Sequence, residues 1–241
     1  MKISIVVPAF NEEKLIADSL RSMNAARAAF TRLGWESEIV VCDNNSTDRT
    51  AELARAAGAR TVFEPVNQIG RARNAGAAAA RGAWLIFIDA DSQPSAELFA
   101  DVAAEIQKGR CLAGGSTVRL DGSYVMASLI VGGWNLLSRV RKWAAGSFIF
   151  CDAAAFRAVG GFSSELYVSE ELDLSERFKT LARESGRQMV ILHRHPLVTS
   201  ARKLHLYSTW EHLRFLGKTV FGFGRTLRNR EECHVWYDGR R

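Results

Sequence analysis

Apolar positions fall in two rhythms along this chain. Short unbroken apolar runs, Ile3 to Pro8, Glu38-led Ile39 to Cys42, Thr61 to Phe63 and Trp84 to Ile88, punctuate longer stretches with apolar residues at every third or fourth position. An unbroken run of this length predicts a strand buried on both faces, and the slower rhythm predicts a helix with one face packed. Leu15, Ile16, Leu20, Met23, Phe30 and Leu33 make the first helix, with Asn11 as its cap, Glu12 and Glu13 in its first turn, and Gly34 as its end. A second helix runs through Leu53 to Gly58, and an alanine-rich third opens at Gly70 and ends at Gly82. Alternating strands and helices predict a parallel, Rossmann-like sheet with right-handed crossovers, so the C-terminal strand ends gather on one rim, where ligands bind in such sheets.

The second half is patterned differently. A helix is predicted around Ala96 to Ile106, then strands Cys111 to Leu120 and Gly146 to Cys151, a short helix through Phe156, and a turn at Gly160-Gly161-Phe162. A helix capped at Ser169 and a strand from Met189 to Leu192 follow. Tyr124 to Leu137 is apolar except for Ser128 and Asn135 and runs into Arg139, Arg141, Lys142 and Trp143. It reads as a core helix leaving a basic edge, or as a helix on a membrane surface with Trp134 and Trp143 at the interface.

The rim gathers chemistry. Trp84 to Ile88 runs directly into Asp89-Ala90-Asp91, two carboxylates one residue apart at the end of a buried strand. Such a pair requires a cation, and a hard divalent ion shared with a phosphate suits it. Phe10, Asp43, Arg71 and Arg73 fall on the same rim. An aromatic ring for a base, a carboxylate for base or ribose, arginines for phosphates and a metal for the diphosphate together fit a nucleoside diphosphate.

Composition narrows the rest. The 241 residues carry 47% hydrophobic and 24% charged residues, enough for one large α/β domain. From Arg194 to Arg241, ten Lys/Arg face four Asp/Glu, which accounts for the whole net charge of +6. That basic, aromatic-interleaved tail (Trp210, Phe215, Phe221, Phe223 among Arg214, Lys218 and Arg225) reads as a membrane-surface or partner-binding helix, or as a helix packed on the core. It carries no nucleic-acid-binding motif. The chain opens straight into the first strand, without the basic and apolar regions of a signal peptide, so a cytoplasmic location, at the inner face of the membrane if the tail binds lipid, is expected. The four scattered cysteines, Cys42, Cys111, Cys151 and Cys233, read as structural thiols. A nicotinamide dehydrogenase is excluded by Pro8-Ala9-Phe10-Asn11-Glu12 standing where GxGxxG is needed.

Pro8-Ala9-Phe10-Asn11-Glu12, Cys42-Asp43-Asn44-Asn45-Ser46-Thr47-Asp48, Gly70-Arg71-Ala72-Arg73-Asn74-Ala75-Gly76, Asp89-Ala90-Asp91, Gly160-Gly161-Phe162 and the acidic run before Leu172-Asp173-Leu174 resemble, in order and spacing, the motifs of the family 2 glycosyltransferases. The resemblance covers residues 3 to about 185. It implies the GT-A fold and transfer from a nucleotide-diphosphate sugar, UDP- or GDP-linked first among them, with Mn²⁺ or Mg²⁺. It also implies a nucleotide site made of Pro8, Phe10, Glu12, Asp43 (base or ribose), Arg71, Arg73 (near the phosphates), Asp89 and Ala90, with Asp91 as principal metal ligand. Residues 1–120 then form the nucleotide-sugar half, 121–205 the acceptor and catalytic-base half, and 206–241 the basic tail.

Attack by an acceptor hydroxyl needs a carboxylate to take its proton. The family's base is the acidic residue ending a Glu-Asp pair before the helix, and alignment on Leu172-Asp173-Leu174 puts Glu171 there, with Asp173 in reserve. A glutamate at this place departs from the family's aspartate, and it is the one feature favouring the alternative, a non-catalytic nucleotide-sugar-binding protein. Thr199-Ser200-Ala201-Arg202-Lys203 resembles a segment found late in a subset of these transferases, a cationic loop suited to neutralising the leaving diphosphate; His193, His195 and His205 are each open to completing the metal shell, but a lone histidine is more often a packed or capping residue, and nothing in the sequence chooses among the three. Inversion is what a single in-line displacement gives; the acceptor is an open choice that includes lipid-linked hydroxyls.

Overall fold

The computed structural model describes residues 1–122 and 125–202. The tail, with Lys203, His205 and Cys233, lies outside them, as does Tyr124. Strands β1 (Lys2–Ala9), β2 (Glu36–Asp43), β3 (Arg60–Phe63) and β4 (Trp84–Ile88) alternate with helices α1 (Ile16–Ala26), α2 (Ala28–Thr31), α3 (Thr50–Ala56) and α4 (Ile69–Ala79). There follow β5 (Ser92–Gln93), α5 (Ala96–Gln107), β6 (Cys111–Leu120), α6 (Val125–Arg141), β7 (Phe148–Asp152), α7 (Ala153–Ala158), α8 (Glu170–Glu184) and β8 (Gln188–Thr199).

The eight strands form one sheet in the order β3-β2-β1-β4-β7-β6-β8-β5. β1, β2, β3 and β4 run parallel as expected, and β8 runs parallel to β6. β7 runs antiparallel to both β4 and β6, and β5 antiparallel to β8, so the sheet is mixed beyond β4. The apolar run of β7 carried no information about direction. β8 also outruns its expectation by seven residues, because its outer half pairs with β6 through Val118 to Leu120 and with β5.

Burial on both faces explains the unbroken apolar runs. The pleat sends Ile3, Ile5 and Val7 into the layer of α1, α2 and α5, and Val6 into the opposite layer with Leu85, Phe87 and Phe162. Phe87, Phe156 and Phe162 meet there with ring centroids 5.1 to 5.7 Å apart. α4 lies close on the sheet because residue 76 is glycine: a Cβ there would stand 2.5 Å from Val6 Cγ1. Cys42, Cys111 and Cys151 are free and buried, and burial pushes the Cys42 and Cys111 thiols up to about 12.

Two helix starts differ from expectation. Asn11 does not cap α1, which begins at Ile16; Asn11 takes φ +52° and its Oδ1 accepts from Thr47 N at 2.8 Å. Glu12 N donates to Thr50 Oγ1 at 2.7 Å and Glu13 N to Asp48 Oδ2 at 3.1 Å, so the segment clamps the loops after β1 and β2 together. Ser169 stands at the N-cap of α8 with φ +66° and without a side-chain capping bond, the first turn of that helix being stabilised instead by Glu170, Glu171 and Asp173.

Candidate functional site

Register places the site. Ala9 pairs with Asp43 and β4 ends at Ile88, so the segments beginning Phe10, Asn44 and Asp89 leave the sheet side by side. Pro8, near the end of the buried β1, lies level with Cys42; Phe10 is half-buried just beyond. Asp43 is buried, and its Oδ1 accepts from Ser46 N at 3.0 Å, closing the turn of its own loop. Asn44 fixes the next loop by donating to the Glu64 and Val66 carbonyls.

The two carboxylates of Asp89-Ala90-Asp91 face two different guanidiniums. Arg73, on α4, is among the largest fully buried side chains: it donates to Asp89 Oδ1 at 3.0 Å, to Glu170 Oε1 at 2.5 Å and to the Gly146 carbonyl at 2.8 Å, and lies over the Phe162 ring at 5.1 Å. Arg202, after β8, makes a bidentate pair with Glu12 at 2.9 and 2.9 Å and stands 3.9 Å from Asp91 Oδ2. It is held there by Ser200 N on the Asp91 carbonyl and by Ala201 N on Asp121 Oδ1. His195 pairs with Asp101 of α5 at 2.9 Å, His193 is exposed on β8, and His205 lies outside the described residues.

Glu170 is buried against Arg73, and Glu171 sits beside it with part of its side chain open to the cleft. Residue 146 must be small here, since a Cβ on Gly146 would meet Arg73 Nη2 at 3.3 Å and the Glu171 carboxyl carbon at 3.5 Å. Burial, and then the charge of Glu170, pushes the Glu171 carboxyl up to about 8, with Arg73 opposing. Glu170 is raised too, by burial first. Glu170, bonded to Arg73, and the adjacent half-buried Glu171 are thus both held above the ordinary carboxylate range. Asp173, the reserve base, turns away from the cluster: it holds Arg177 at 2.6 Å, and Arg177 in turn caps the Val159 and Gly161 carbonyls. Arg71 is half-exposed on Glu64 at 3.2 Å.

The donor set suits a hard divalent ion, though sparingly. Among the described residues no group of three or more His, Cys, Asp and Glu could hold a metal. Asp91, with Asp89 taken by Arg73, provides one carboxylate at the rim. Mg²⁺ and Mn²⁺ are held in this way, by one or two carboxylates, with substrate phosphates and water filling the shell. Among the described residues the buried Nε of Arg202 has no hydrogen-bond partner. Arg202 and Glu170 were the residues whose partners sequence reasoning missed: Glu12 and Arg202 lie 190 positions apart, and Arg73 and Glu170 97. Only the Thr-Ser-Ala-Arg-Lys segment signalled the first.

Known proteins share the fold. The profile of Glycosyl transferase family 2 matches residues 4–159. An uncharacterised glycosyltransferase of Mycobacterium tuberculosis is 32% identical over 143 residues, spanning 58% of this chain and 61% of the relative. Staphylococcus aureus TarS 1–349, solved with UDP-GlcNAc, superposes with a TM-score of 0.62 at 21% identity over 98% of this chain and 69% of its own. A Pyrobaculum calidifontis mannosyltransferase solved with GDP-Man and Mn²⁺ gives 0.65 at 18% identity, over 88% and 59%. The mixed sheet is thus that of a GT-A fold, and the chain belongs to glycosyl transferase family 2.

Proposed function

We propose that this protein transfers a sugar from a nucleotide-diphosphate sugar to an acceptor hydroxyl, with inversion and with a divalent metal. The observation that carries the reading is the rim itself, where Asp91, Arg202 and Glu12 stand beside the buried Arg73, Asp89, Glu170 and Glu171 cluster. Arg202 would take the diphosphate as a cation beside Asp91, Asp91 would hold Mn²⁺ or Mg²⁺, and Asp43 would face base or ribose. When bound, the ion would spread the negative charge of the leaving diphosphate. Glu171 is the base: it keeps access to the cleft while Glu170 is held by Arg73, and its raised pKa tunes a carboxylate toward taking a proton near neutral pH. Deprotonation of the acceptor and attack from the face opposite the diphosphate give a single displacement and inversion. The relatives solved with UDP-GlcNAc and GDP-Man make UDP and GDP the first donors to try.

Thermal unfolding with UDP, GDP, CDP and TDP, each with and without Mn²⁺, tests the donor site on the wild type and on Asp91→Asn. A nucleotide at about 100 times its dissociation constant adds about 2.7 kcal/mol. Stabilisation that needs the metal and is lost in Asp91→Asn supports the site. No response to any nucleotide would sink the reading, and binding with no turnover that depends on Glu171 would leave a non-catalytic nucleotide-sugar binder.

A further inference from the structure

α6 carries apolar residues on two opposite faces. One face packs inward: Val131 and Trp134 meet the core, Ser138 is buried, and the Asn135 side chain clasps the Val118 N–H and C=O at 3.0 and 2.9 Å. The opposite face, where a surface helix ordinarily carries charge, presents Val125, Met126, Leu129, Ile130, Leu136 and Val140, all 63% to 78% exposed. Between Asp121 and Asp152 the sequence has no acidic residue. Arg139, Arg141 and Lys142 close the helix, all exposed, and among the described residues none of them pairs with a carboxylate. The exposed Arg183 of α8 borders the same patch.

We infer that α6 docks this protein on an anionic phospholipid surface, lying in the interface with its apolar face among the acyl chains and its basic end on the headgroups. Charge selects this occupant. A cluster of unpaired cations at the end of an apolar strip complements anionic lipid, whereas residues 203–241, with eight Lys/Arg against four Asp/Glu, would be repelled by it, and so would a second copy of the same basic patch. Among the described residues no helix is long and apolar enough to cross a membrane, so α6 rests on the bilayer. The chain enters α6 from Asp121, which holds Ala201 beside Arg202, and leaves it through Trp143 to Gly146, whose carbonyl accepts from Arg73. The segments flanking the helix thus carry contacts of the rim, which docking would bring near the lipid. The inference stands apart from the chemistry proposed for the cleft and needs no nucleotide to test.

Vesicle flotation of the full chain tests it, with phosphatidylcholine alone and with phosphatidylcholine mixed with phosphatidylglycerol. The wild type floats only with the anionic vesicles and is released by high salt, where screening shortens the Debye length to about 3 Å. Leu129→Ser/Leu136→Ser/Val140→Ser lowers the partition coefficient at least about tenfold, with an unchanged unfolding midpoint because these side chains support no core. Flotation of the triple variant at the wild-type level would place binding elsewhere and overturn the inference, as would a wild type left in the pellet at low salt. A dimer in light scattering that the triple variant dissolves, without vesicle binding, would assign the face to a second copy. Ile130→Cys in a Cys233→Ser background, labelled with acrylodan, gives a reading independent of the triple variant's folding: a blue shift on anionic vesicles supports insertion, and none refutes it.

Discussion

Arg73→Met isolates the central electrostatic claim. Methionine keeps much of the volume but leaves Asp89 and Glu170 without their shared guanidinium, and removing one partner from a buried pair costs about 3–5 kcal/mol. Asp89 keeps some exposure while Glu170 is almost fully buried, so most of that cost falls on Glu170. At about 2–4 °C per kcal/mol for a chain of this size, the unfolding midpoint should drop by about 6–20 °C. The loss should depend on pH. Without Arg73 the Glu170 carboxyl, already raised by burial, rises further, so the folded variant binds a proton that the unfolded chain releases at the ordinary carboxylate range. Stability then falls as pH rises across that window. The deficit relative to wild type should be small near pH 5 and full near pH 8, and adding Glu170→Gln should recover much of it at pH 8. Urea unfolding followed by circular dichroism at pH 5, 6.5 and 8 measures all three. A deficit under about 1 kcal/mol at pH 8, or one that does not change with pH, would refute the assignment of Arg73 as counter-ion to buried carboxylates.

Other consequences are simpler to check. Glu171→Gln should lower kcat about 10²–10⁴-fold while leaving nucleotide-dependent stabilisation intact, and wild-type kcat/KM should climb with pH and level off above about 8, where Glu171 is ionised. Asp173→Asn, by contrast, should leave turnover near wild type and cost at most about 1 kcal/mol, since its pair with Arg177 is partly exposed; a large loss of turnover there would transfer the base role to Asp173. Ellman's reagent at pH 8 should leave Cys42, Cys111 and Cys151 unmodified until the protein unfolds, as buried thiols with raised pKa values are poor nucleophiles.

Legibility followed burial. β1, β2 and β4 could be read directly because both of their faces are covered, and a short unbroken apolar run between turn residues fits little besides a doubly buried strand. β8 could not be read past Leu192: His193, Arg194, His195 and Pro196 interrupt its pattern, and the outer strand tolerates them because only the two residues of β5 lie beyond it. The rim positions of Phe10, Asp43, Asp89 and Asp91 followed from strand ends alone. The inward turn of Arg73 did not, since an arginine in the first turns of an exposed-looking alanine-rich helix reads as solvated until Glu170 arrives from 97 residues away. The α6 stretch stayed open between a core helix and a surface one, because sequence spacing says nothing of what lies outside a packed face.

The position of α6 between β6 and β7 bears on how such a chain can diversify. These two strands pair antiparallel through Ala113 to Gly115 and Ile149 to Cys151, so residues 121–147 amount to an enlarged hairpin connection, and the sheet would keep its register with a shorter one. Donor-side strands β1 to β4 make no use of that connection for their own pairing. A lineage could therefore exchange α6 itself as a single insertion or deletion, provided that Asp121 stays on Ala201 and the Gly146 carbonyl on Arg73.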